Sequence, residues 1–141
     1  MTTIRAIRAS ILTLAISLAA TAATAAPAEH ASSPTTSIGN AIAARIIAIK
    51  CNRPMLPTTL TQAEIGELDT FIDERQTAFM MESKANQRLS EMVFPQLARD
   101  YNQLYSTPDA CDATARHMAK ATLQQVREVQ AGLKQRAEVK Q

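Results

Sequence analysis

The stretch TPDACDATARHMAKATLQQVREVQAGL, residues 107–133, decides how the rest of the chain is read. Cys111, Ala115, Met118, Thr122, Val126, Val129 and Leu133 recur at a mean spacing of about 3.7 residues, the period of an α-helix buried on one side. Thr107-Pro108-Asp109 supplies a cap, a proline at the first helical position and an acid at the positive end of the helix dipole. The spacing predicts a helix reaching about Ala137 and fraying past Gly132. Because Cys111 begins the apolar stripe, it points inward.

Working back from Cys111, the other cysteine is Cys51. It ends a segment in which Ile38, Ile42, Ile46 and Ile49 form one helical stripe, predicting a helix from Ser37 to Cys51. Pro54 and Pro57 prevent its continuation. Thr61-Gln62-Ala63-Glu64 fits the capping box of a second helix, with Ile65, Leu68, Ile72 and Phe79 along one side and Phe71 beside them. The pattern weakens from Glu82 to Arg88. Leu89, Val93, Leu97, Tyr101 and Leu104 then resume a stripe that Pro95 interrupts, which predicts a break or kink within residues 84–95. An unbroken helix from Thr61 to Tyr105 would be about 67 Å long, so two helices with a bend are expected.

The N-terminus has a different character. Met1 to Arg8 carries Arg5 and Arg8 and no acid. Ala9 to Ala20 is apolar or small, and Ala23-Thr24-Ala25 is an A-x-A cleavage signal. A basic start, a short apolar run and a small-residue cut site describe a secretory signal peptide. Twelve residues fall short of the roughly 20 a membrane-spanning helix needs. The expected organisation is a signal peptide over 1–25, a flexible lead over 26–36 rich in Pro and small polar residues, and a helical domain over 37–138. Export to an oxidising compartment, the periplasm or the exterior, pairs Cys51 with Cys111 as one disulfide. The expected fold is all-α: an antiparallel three- or four-helix bundle, the bridge tying the end of the first helix to the start of the last.

Charge and composition exclude several classes. Without Arg5 and Arg8 the chain carries 13 basic and 13 acidic residues. A neutral domain lacks the basic footprint for nucleic acid, and no later segment is apolar enough to span a membrane. Tryptophan is absent. Charge is nevertheless uneven: Glu64, Glu67, Asp69, Asp73, Glu74 and Glu82 crowd the second helix, whereas Arg116, Lys120, Arg127, Lys134, Arg136 and Lys140 mark the last. Such faces are solvated surfaces that favour one another, or a polarised surface for a charged partner.

Catalytic chemistry has no motif here. Asp69 and Asp73 share a helix face, as exposed acids commonly do. His30 and His117 stand in no H-x-x-x-H or H-E-x-x-H pattern, so neither a zinc site nor any other metal site is expected. His117 beside Met118 lacks the C-x-x-C-H of attached haem, and no cofactor is expected. Met80-Met81 and the scattered Met55, Met92 and Met118 read as fillers of core gaps rather than copper ligands. Ser83, Ser90 and Ser106 lie in no G-x-S-x-G or S-x-x-K pattern. The sequence therefore points to an exported, non-enzymatic helical protein that binds another protein, such as a periplasmic inhibitor or immunity-type protein. The alternative is a periplasmic stress chaperone of the acid-activated holdase type, the acids of the second helix supplying its switch.

Overall fold

The computed structural model describes residues 33–141, and the expected signal peptide and most of the lead lie outside them. Four helices follow in order: α1 (Pro34–Lys50), α2 (Gln62–Glu82), α3 (Lys84–Leu104) and α4 (Ala113–Val139). Ser33 caps α1, its Oγ accepting from the Thr36 N–H, and Pro34 opens the first turn, so the helix starts three residues before the expected Ser37. The capping box of α2 is complete. Thr61 Oγ1 accepts from the Glu64 N–H, and Glu64 Oε2 accepts from the Thr61 N–H at 2.9 Å.

The break after α2 falls at one residue, Ser83. It is extended, and its hydroxyl caps α3 by accepting from the Asn86 N–H. Pro95 sits inside α3 without ending it. A proline removes one N–H from the ladder but leaves the turns on either side intact, and packing against α1 and α2 holds the helix together. Two helices are thus observed, as expected, but the division lies at a capping serine rather than at the proline. The start of the last helix also moves. Pro108–Ala110 forms a single 3₁₀ turn, and α4 begins at Ala113, with Asp112 accepting from the Ala115 N–H at 2.8 Å. Asp112 offers a charged acceptor to the first turn, which makes it the better cap.

Helix α1 is the centre of the molecule. Alanine and isoleucine at 41–44 and 46–48 are all buried, so the helix is covered on nearly every side rather than along one stripe. Ile38, Ile42 and Ile46 are buried as expected. Ile49 is 45% exposed, and Ile47 takes the inner position instead. Pairs of contacts fix the directions. Arg45 meets Asp69, so α1 and α2 are antiparallel. Gln76 donates to Ser90 Oγ, and Phe79 meets Phe94 edge-on at 6.3 Å, closing α2 and α3 into a hairpin. Arg127 reaches Glu64 and Glu67, while Lys120 lies beside Thr58 to Thr61, so α4 runs parallel to α2. Cys51 and Cys111 are joined, with Cα atoms 5.4 Å apart, clamping the end of α1 to the connection before α4.

Candidate functional site

Helices α2, α3 and α4 all pack on α1, and α2 touches both others, but the consecutive pair α3 and α4 barely meet. Three helices therefore pack on α1, and the side of α1 they leave is exposed only at Thr36 and Asn40. The positions of individual residues agree. At about 100° per residue, Thr36, Asn40 and Ile47 fall on one line of α1. Gly39, on the α3 side of that line, would bring a Cβ to 3.1 Å from Leu97 Cδ2. Asn40 is exposed in the midst of buried neighbours. Ile47, two turns further on, is fully buried. The Ser106–Asp112 connection joins α3 to α4 and is fastened to the end of α1 by the disulfide and to the α1–α2 loop by Arg53 Nη2 donating to the Ser106 carbonyl at 3.0 Å.

Apolar side chains stay half-exposed on both α3 and α4. On α3, Ser90 and Phe94 turn toward α2, and Leu97 toward α1. Leu89, Val93 and Leu104 then fall on the flank away from α2. On α4, Arg127 turns toward α2, Met118 and Val129 fall on the opposite flank, and Leu133 continues the line of Ala115 and Val126 toward the helix end. These six side chains are each between 40% and 52% exposed. They form half-exposed apolar surface on the two helices. Gln96, Asp100 and Gln125 border them, with Gln96 donating to Asp100 Oδ1 at 2.7 Å.

The sequence placed several of these residues inside the core. The stripe Leu89, Val93, Leu97, Tyr101, Leu104 is rotated from the true inward line of α3, which runs Ser90, Phe94, Ala98, Tyr101 and Tyr105. Ser90, fully buried, holds its place because Gln76 satisfies its hydroxyl. On α4, Ala115, Thr122 and Val126 are buried as expected and Ala119 and Leu123 join them, whereas Met118, Val129 and Leu133 are 42%, 41% and 42% exposed. Three of the methionines are not core fillers: Met55 is 93% exposed, Met81 82% and Met92 74%, while Met80 is partly buried.

The opposite side of the bundle holds the charges. Arg127 Nη2 and Nε donate to Glu67 at 2.8 Å each, and Nη2 reaches Glu64 at 3.4 Å. Arg45 donates to Asp69. The uneven charges of α2 and α4 are thus partly spent on each other. The Thr61 N–H and, more weakly, Arg127 hold the Glu64 carboxyl below its ordinary range against the opposing effect of burial. The hydrogen bond from Arg127 does the same for Glu67. His117, Asp69 and Asp73 are not gathered into a metal site: among the described residues no three His, Cys, Asp or Glu side chains are grouped to hold an ion. No described helix is long and apolar enough to cross a membrane. Comparison with protein-family models, curated proteins and solved structures found no match.

Proposed function

We propose that this is an exported, disulfide-closed, non-enzymatic protein that binds another protein through the half-exposed apolar surface of α3 and α4, as a periplasmic inhibitor or immunity-type protein does. The observation that supports the reading is the set of half-exposed apolar side chains on α3 and α4, Leu89, Val93, Leu104, Met118, Val129 and Leu133. The basic, apolar and A-x-A segments at the N-terminus support export, and the bridge suits an oxidising compartment.

The occupant that fits is one amphipathic helix of the partner. An apolar stripe at i, i+3, i+4 and i+7 would meet the half-exposed side chains of α3 and α4. Ion pairs lie on the far side of the bundle, so the face selects an apolar stripe with polar edges rather than a strongly charged surface. A surface on helices pinned by a disulfide changes shape little on binding and favours a defined 1:1 complex.

The exposed methionines favour a second reading, a chaperone, because flexible thioether side chains adapt to many apolar partners. Quantitative crosslinking in periplasmic extract separates the two. The inhibitor reading expects one stoichiometric partner, lost on Val93→Asp or Leu133→Asp and retained on Arg127→Glu, with all variants folded by circular dichroism. Suppression of aggregation of several unrelated clients, at neutral or low pH, would replace it with the chaperone reading. Retention of the partner by both apolar-to-Asp variants would remove that surface from either.

A further inference from the structure

Sulfur falls into two populations in this protein. The cysteine sulfurs of Cys51 and Cys111 are joined to each other and buried in the core, and among the described residues no thiol is free. The thioethers lie outside. Met55, Met81 and Met92 are largely exposed, Met118 is half-exposed, and Met80 is partly buried. No described methionine belongs to the buried core. Methionine is ordinarily among the residues most often found inside, so this distribution is the reverse of the usual one.

Position decides what oxidation does to a methionine. The sulfoxide is polar, and within a core it disrupts packing. At these three positions it meets water instead. Met55 lies in the α1–α2 loop, Met81 in the last turn of α2, and Met92 on α3, two residues before the buried Phe94 and off its inward line. A thioether is also the apolar side chain that a two-electron oxidant attacks. Tryptophan is absent from the chain, and the bridge has removed both thiols, so the exposed thioethers are the softest nucleophiles the surface offers. The sulfur lone pair attacks an oxygen of hydrogen peroxide or hypochlorous acid. The O–O or O–Cl bond breaks and an S–O bond forms. Water leaves in the first case, chloride and a proton in the second. Sulfur loses two electrons and the oxidant gains them.

We propose that Met55, Met81 and Met92 are oxidation sites at which the folded protein consumes an oxygen-donating oxidant, hydrogen peroxide or hypochlorous acid, sparing the core and the bridge. The proposal rests on the placement of the sulfurs and not on the protein-binding reading, so either can fail alone.

The test treats the disulfide-intact protein at pH 7 with about three equivalents of hypochlorous acid, one per site, or with excess hydrogen peroxide, and follows each methionine by peptide mass mapping. Met55, Met81 and Met92 are expected to be converted at least about fivefold faster than Met80 and Met118, with helicity and thermal midpoint unchanged. This order with one oxidant and not the other would identify the oxidant the sites take. The triple variant Met55→Leu/Met81→Leu/Met92→Leu, shown to be folded by circular dichroism before treatment, should lose thermal stability at a dose of hypochlorous acid that the wild type survives, because the oxidant then reaches Met80, Met118 and the bridge. Equal rates at all the described methionines with both oxidants would overturn the proposal. So would unfolding of the wild type once the three sulfoxides form, or equal survival of variant and wild type.

Discussion

At the residue scale, glycine separates what helix propensity demands from what packing allows. Gly66 and Gly132 lie inside α2 and α4, where an added Cβ would meet nothing within 4 Å. Gly39 in α1 would meet Leu97 at 3.1 Å. An interior helical glycine costs roughly 0.5–1 kcal/mol relative to alanine, through the freedom it retains in the unfolded chain. Gly66→Ala is therefore expected to raise stability by about that amount in urea denaturation. Gly39→Ala should gain less, because Leu97 must shift by a few tenths of an ångström. An equal gain at both positions would show that the contact between α1 and α3 is looser than described. This distinction was not legible in the sequence, nor was the surface placement of the methionines. Composition says that a thioether can fill a core. Only the arrangement of helices says that Met55, Met81 and Met92 have no core within reach.

At the scale of helices, local signals were read well where they are chemical and poorly where they depend on neighbours. Thr61 and Glu64 cap α2 as their spacing demands, because the hydrogen bonds involved are local. The predicted stripe of α3 differs from the inward line by a small rotation, since Tyr101 belongs to both. A buried serine satisfied by Gln76 from another helix leaves no mark in the periodicity. The ion pairs between α2 and α4 lead to a prediction at this scale. Folding holds the carboxyls of Glu64 and Glu67 below their ordinary value of 4.5. Their contribution is therefore fully present above that value and is lost as pH falls through the lowered folded values. Arg127→Gln should leave the urea midpoint at pH 7 little changed, because exposed pairs contribute little. Below pH 4.5 it should flatten the loss of stability. A wild-type and a variant curve that stay parallel down to pH 3 would show that the tie between α2 and α4 does not respond to acid, and would remove these two acids from any acid-driven opening.

At the scale of the whole molecule, a central α1 with other helices packed on it follows from the alanine and isoleucine content of residues 38–48, but which residues of α1 stay exposed does not. The disulfide determines where the 106–112 connection is held. The bridge spans 60 positions. On the chain-entropy account a loop of this length contributes about 4 kcal/mol. A urea dependence of about 1–3 kcal/mol per molar would then move the midpoint by roughly 2 M when both cysteines are replaced by alanine. The effect should also be localised. Releasing Cys111 frees the connection tied to the end of α1, so amide protection at Ile47 and Ala48 should fall more than at Phe79 and Phe94, which the α2–α3 hairpin holds without help from the bridge. A partner helix bound on α3 and α4 should then dissociate faster from the double variant than from Val129→Ala, which trims the apolar surface and keeps the bridge. Uniform loss of protection across all four helices would mean that the bridge stabilises only by restricting the unfolded chain, and that the shape of the binding surface is set by α1 and its neighbours alone.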